Sequence, residues 1–279
     1  MFTTLISASE LARAMPDDDL VIVDCRHDLQ LLTAGRAAFE AGHIAGAVFA
    51  DMEQELAGAK RDGAGVFLGR HPLPAPADLL DLLRRWGVND GTQVVAYDAH
   101  GGMYAARLWW LLRWLGHPAV AVLDGGLQAW SGPLSTAAAA DRAPGNISAR
   151  PALAGSVDAA TLVANLSSEE LTVVDARAPD RFRGENETID AVAGHIPGAI
   201  NRFFKNNLDA DGRFKSAELL RAELAPLGDA ASAVMQCGSG VTACHNLLAF
   251  EIAGLTGARL YPGSWSEWSA DAARPVQRG

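Results

Sequence analysis

The chain has 279 residues, 49% hydrophobic and 20% charged, enough for two packed domains and too apolar for a disordered chain. Its net charge of −10 leaves no basic excess to neutralise a phosphate backbone, so a nonspecific nucleic-acid binder is disfavoured. A small anionic ligand is still compatible, because a local site can be positive within an acidic protein.

Three cysteines, Cys25, Cys237 and Cys244, are too few and too odd for a disulfide framework and suit a reducing compartment. The opening "MFTTLISASELARAMPDDD" has neither a basic leader nor a long apolar core. No run approaches the roughly 20 apolar residues of a membrane helix. The expectation is a cytoplasmic protein that binds no membrane.

In chain order, Ser7 and Glu10 form a capping box ahead of a short helix. Val21, Ile22 and Val23 make a short apolar strand that closes at Asp24. Leu79, Leu82, Leu83 and Trp86 fall at i, i+3, i+4, i+7 and predict an amphipathic helix. "QVVAY" (93–97) and "AVAVL" (119–123) are further buried strands, separated by the helix-like "MYAARLWWLLRWLG". Residues 131–150, rich in Ala, Ser, Pro and Gly, show no amphipathic period and read as a linker.

The second half then repeats the first. "LVIVDCRHD" (20–28) resembles "LTVVDARAP" (171–179), "EAGHIAGA" (40–47) resembles "VAGHIPGA" (192–199), and "LDGGLQAW" (123–130) resembles "YPGSWSEW" (261–268). The offset falls from about 151 residues to 138, so the first half carries an insertion. Short buried strands alternating with helices predict an α/β fold, with a parallel sheet flanked by helices in each half. The expected division is a domain at 1–130, a linker at 131–150 and a domain at 151–279. Ligands of such sheets bind beyond the carboxyl ends of the strands.

Cys237 stands at such an end, in "VMQCGSGVTACHN", before a turn containing Gly238 and Gly240. The turn can aim backbone N–H groups inward, and the helix that follows adds its positive end. Both favour a thiolate, the form that attacks electrophiles. The alternative reading is a small buried thiol at a strand end, common for free cysteine. Aligning "VVAYDAHGGMYAA" with "AVMQCGSGVTACH" sets Asp98 opposite Cys237, so the first half keeps the scaffold without the thiol.

"GHIPGA", "CGSGVTA" and the glycine-to-tryptophan segment near the carboxyl end together resemble the two-domain rhodanese-type sulfurtransferases, over nearly the whole chain. The resemblance implies two tandem rhodanese-like domains, the first inactive. It implies that Cys237 takes sulfur from a small anionic donor as a persulfide and hands it to a thiol, cyanide or protein acceptor, with no metal or organic cofactor. Gly238-Ser239-Gly240 is similar to the loop of mercaptopyruvate enzymes rather than the basic loop of thiosulfate-preferring rhodaneses. It implies donor binding by Arg181 and by loop residues Gly238, Ser239, Gly240, Val241 and Thr242.

The resemblance also implies that His71, in "GRHPLP" of the insertion, pairs with Ser239 in a relay with Cys237 across the domain interface. A plain loop histidine is the competing reading. Mercaptopyruvate enzymes of animals carry a second arginine about nine residues after the first; here that position is near Asp190, leaving Arg181, Arg183 and loop amides for the carboxylate. His43, His195, Asp24 and Asp175 recur in both halves and read as scaffold. A cysteine phosphatase would need arginine at 243, where Ala243 stands. A thiosulfate sulfurtransferase of the same mechanism and a non-catalytic rhodanese-like binding module are the alternatives.

Overall fold

A computed structural model of the chain describes residues 1–15, 17–168 and 170–279. They form two compact units. Unit one comprises Met1–Gly58, Pro74–Leu153 and Ala210–Phe214; unit two comprises Ala59–Leu73, Ala154–Asp209 and Lys215–Gly279.

The strands of unit one are β1 (Leu5–Ile6), β2 (Leu20–Asp24), β3 (His43–Ile44), β4 (Val48–Phe49), β5 (Gln93–Tyr97), β6 (Val120–Leu123) and β7 (Leu134–Ser135). Five of them build a parallel sheet in the order β1-β6-β5-β2-β4. Its helices are α1 (Ala8–Ala14), α2 (Ala34–Ala41), α3 (Pro76–Arg85), α4 (Ala105–Trp114) and α5 (Gly126–Ala129). The Ser7–Glu10 capping box starts α1, and α3 buries Leu79, Leu82 and Leu83 as their spacing predicts. α4 is buried on every side from Ala105 to Leu112, including its Arg107.

Unit two repeats the plan. Its strands are β8 (Gly155–Ser156), β9 (Thr172–Asp175), β10 (Ile200–Asn201), β11 (Ala233–Gln236) and β12 (Arg259–Leu260), all parallel, in the order β10-β9-β11-β12-β8. Its helices are α6 (Ala159–Ser168), α7 (Pro179–Arg183), α8 (Ala217–Leu224), α9 (Thr242–Ile252) and α10 (Ser264–Trp268). Leu162, Val173, Val234, Tyr261, Trp265 and Trp268 form part of the core. β5 and β11 are the middle strands of their sheets and are buried almost throughout, which explains their unbroken apolar runs.

The repeated motifs do the same work twice. His43 stacks on Phe39 with Nδ1 2.8 Å from the Phe39 carbonyl; His195 stacks on Phe182 with Nδ1 2.8 Å from the Phe182 carbonyl. Asp24 accepts the backbone N–H and guanidinium of Arg26, as Asp175 does from Arg177. These pairs satisfy buried polar groups beside the strand ends.

Two segments fall differently from the expected division. Residues 131–150 pack within unit one: β7 pairs antiparallel with β3, the Gly145 N–H donates to the Arg84 carbonyl at 2.8 Å, and Ile147 is buried. Backbone pairing of this kind needs no side-chain period, so it leaves no mark on the hydropathy pattern. The insertion, meanwhile, gives Ala59–Leu73 to unit two. Among the described residues, no helix is long and apolar enough to cross a membrane.

Candidate active site

Cys237 follows β11 directly and is almost fully buried. Its backbone is held on both sides. Its N–H donates to Ser264 Oγ at 3.1 Å, and its carbonyl accepts from the Trp265 N–H at 3.0 Å. The Ser239 N–H points back at Cys237 Sγ, 3.5 Å away. Val241 caps α9, which begins at Thr242, so the thiol lies in a turn that feeds a helix amino terminus. Gly240 makes the turn possible: its φ is +75°, and a Cβ there would lie 2.4 Å from the Pro262 carbonyl oxygen.

Ser239 and His71 meet. His71 Nδ1 lies 2.8 Å from Ser239 Oγ, and both residues are buried. His71 comes from the inserted segment, which folds with unit two, so the pair lies inside one unit rather than across the expected interface. The inserted segment is a short turn in which Arg61 bridges to Phe67 and the Leu68 N–H reaches the Lys60 carbonyl.

The charged side of the site starts on α7. Pro179 opens that helix at a position where its missing N–H costs nothing, and Gly184 closes it in the left-handed region. Arg181 on α7 donates through Nε and Nη2 to both oxygens of Glu187, and Nη2 also reaches Asp190 Oδ2 at 3.2 Å. Burial raises the Glu187 carboxyl, but hydrogen bonds from Arg181 and from the backbone N–H groups of Asp190 and Ile189 outweigh it, and its pKa is lowered.

A second guanidinium arrives from the insertion. Arg70 Nη1 donates to Asp190 Oδ1 at 2.8 Å, and the Arg70 backbone N–H is held by Ser266 Oγ at 3.0 Å. A side chain at Gly238 would begin 3.0 Å from Arg70 Nη2 and 3.7 Å from Arg181 Nη2. Both arginines therefore stand over the residue next to Cys237. Arg183 does not: it is exposed and pairs with Glu185. Arg70 was not among the residues expected at the site from the sequence. Its signals were an acid, Asp190, where the family resemblance expects a cation, and an arginine adjoining His71.

The remaining cysteines are occupied differently. Cys244 is buried on α9 with its thiol toward the Gly240 carbonyl at 3.3 Å. Burial, reinforced by the charges of Asp24, Asp98 and Glu55, pushes the Cys25 thiol well up, which unfits it as a nucleophile. A thiol, a hydroxyl, an imidazole and two guanidiniums suit an anionic ligand and proton movement.

Two parallel α/β units with a glycine-bearing strand-end loop in each define a tandem-repeat class of fold, and a rhodanese-like domain model matches residues 7–133 and 158–271. A Pseudomonas aeruginosa protein named "Probable 3-mercaptopyruvate sulfurtransferase" is 46% identical over 99% of this chain and 98% of its own. A Mycobacterium tuberculosis protein carrying a thiosulfate sulfurtransferase name is 42% identical over 99% of this chain and 97% of its own. The structure of a 3-mercaptopyruvate sulfurtransferase from Leishmania major superposes with a TM-score of 0.84 at 30% identity, over 98% of this chain and 76% of that one. The chain belongs to the rhodanese-like family of sulfurtransferase enzymes.

Proposed function

We propose that the enzyme moves sulfur from 3-mercaptopyruvate to a thiol or cyanide acceptor through a persulfide on Cys237. The observation that carries this reading is the buried His71–Ser239 pair, with Ser239 two residues from the thiol. A donor that leaves as a carbanion needs a proton route; thiosulfate, which releases sulfite, does not.

In this reading the donor carboxylate binds the unoccupied edges of Arg70 and Arg181 above Gly238. Arginine suits a carboxylate because its planar fork matches two oxygens. The Cys237 thiolate attacks the donor sulfur, and the carbon–sulfur bond breaks with its electron pair going to carbon. The donor's thiol proton, passed through Ser239 and His71, ends on that carbon. The products are pyruvate and the Cys237 persulfide. Backbone N–H groups of residues 238 to 242, together with the start of α9, stabilise thiolate and persulfide. A thiol, cyanide or protein acceptor then takes the outer sulfur and restores Cys237.

Thiosulfate is the second reading, favoured by the two guanidiniums and by the thiosulfate name of a relative 42% identical. The deciding experiment is kcat/KM for both donors with one acceptor. Mercaptopyruvate ahead by about tenfold or more supports the first reading; thiosulfate ahead supports the second. Activity with neither would favour a binding module. Three cysteines present as thiols fit a reducing, cytoplasmic setting.

A further inference from the structure

Asp190 lies between the two guanidiniums that face Gly238. Its Oδ1 accepts from Arg70 Nη1 at 2.8 Å and its Oδ2 from Arg181 Nη2 at 3.2 Å, with the side chain only 6% exposed. Each arginine keeps donors unused. Arg70 Nε is buried and without a hydrogen bond, and Arg70 Nη2 stands nearest the Gly238 position. Arg181 commits Nε and Nη2, leaving Nη1. Behind this pair, Arg177 is held by Asp175 and Glu187. Three cations thus face three carboxylates, a formal balance of zero.

We infer that Asp190 is the specificity residue that sets the charge of the donor: it ties Arg70 and Arg181 into one fork and cancels one of their charges, favouring a singly charged carboxylate over a dianion. A fixed charge acts on a donor in proportion to the donor's own charge, so the Asp190 carboxylate opposes a dianion twice as strongly as a monoanion at the same point. The fork's hydrogen bonds serve either donor; the field discriminates. The proposal rests on the reading of Cys237 as sulfur carrier and of the two arginines as the donor site.

The test is kcat/KM for mercaptopyruvate and thiosulfate in the wild type, Asp190→Asn and Asp190→Glu, with thermal melting of each. Removing the charge in Asp190→Asn raises the thiosulfate-to-mercaptopyruvate ratio about tenfold; Asp190→Glu returns it toward the wild-type value. If Asp190→Asn does not melt cooperatively, Asp190→Ser is read by the same ratio. An unchanged ratio, or parallel loss of both donors in every variant, overturns the role of Asp190 and leaves it a mere strut. A wild type that uses neither donor overturns the reading of the site, and this proposal with it.

Discussion

The loops after the two middle strands are the same device put to two ends. In unit one, Asp98 gathers four backbone N–H groups: His100 and Gly102 on Oδ1 at 2.7 and 3.0 Å, Tyr104 and Ala105 on Oδ2 at 2.8 and 2.9 Å. The loop of unit two turns at Gly240 with φ +75°, as the first turns at Gly101 with φ +72°. There the aligned residue is Cys237, with the Ser239 N–H directed at its sulfur. The fold builds a pocket of amides for an anion. Unit one fills it with its own carboxylate, whereas unit two presents the Cys237 thiol, the group proposed to carry sulfur. The segment behind the loop differs in the same sense. Gly126 has φ +59°, while its aligned residue Ser264 accepts φ +54° and uses its hydroxyl to hold the Cys237 N–H. A left-handed serine costs on the order of 1 kcal/mol, a strain typical of functional sites.

The largest expected effect falls on the sulfur itself. Cys237→Ser should lower turnover with any donor by at least about a thousandfold, since the hydroxyl is a poor nucleophile at neutral pH. Activity near wild type in a steady-state assay would move the nucleophile elsewhere and dissolve the contrast between the loops. The matching change in unit one, Asp98→Ala, should spare the chemistry but cost about 3 kcal/mol or more in stability, because it strands buried N–H donors. Denaturant unfolding reads this directly, and an unchanged midpoint would mean that the amides do not depend on the carboxylate.

Smaller effects sharpen the donor side. Arg70→Ala and Arg181→Ala should each reduce kcat/KM for the donor by about 10 to 100-fold, the range of one charge-assisted hydrogen bond. An unchanged value for either removes that arginine from the site. Ser239→Ala and His71→Gln should reduce mercaptopyruvate turnover about tenfold more than thiosulfate turnover. Equal losses would reduce the pair to packing. Arg183→Ala, whose guanidinium is engaged by exposed Glu185, should leave both donors within about twofold in the same assay.

Much of this was legible because it is local or repeated. The strands show as apolar runs since both sheet faces are covered, and the doubled "GHI" and Asp-x-Arg or Asp-Ala-Arg patterns mark buried hydrogen bonds made once per unit. Cys237 and its glycine turn are contiguous, so their place between a strand and a helix is visible at a glance. Arg70 was not legible. Its partner Asp190 is 120 positions away, and the insertion that carries it has no counterpart in the second half to align with. The docking of residues 131–150 was hidden for a different reason, since it combines backbone pairing with contacts to Asn89 and Asp90, 57 and 58 positions away, and neither leaves a hydropathy period. His71 was singled out by resemblance, but only coordinates could show that the insertion folds with unit two.

The central claim is that Cys237 carries the sulfur. Incubating the protein with mercaptopyruvate, without acceptor, and mapping peptide masses tests it most directly. The account predicts a gain of about 32 Da confined to the Cys237 peptide and reversed by a thiol or cyanide. A gain on Cys25 or Cys244 instead, or none with mercaptopyruvate and with thiosulfate alike, would contradict it.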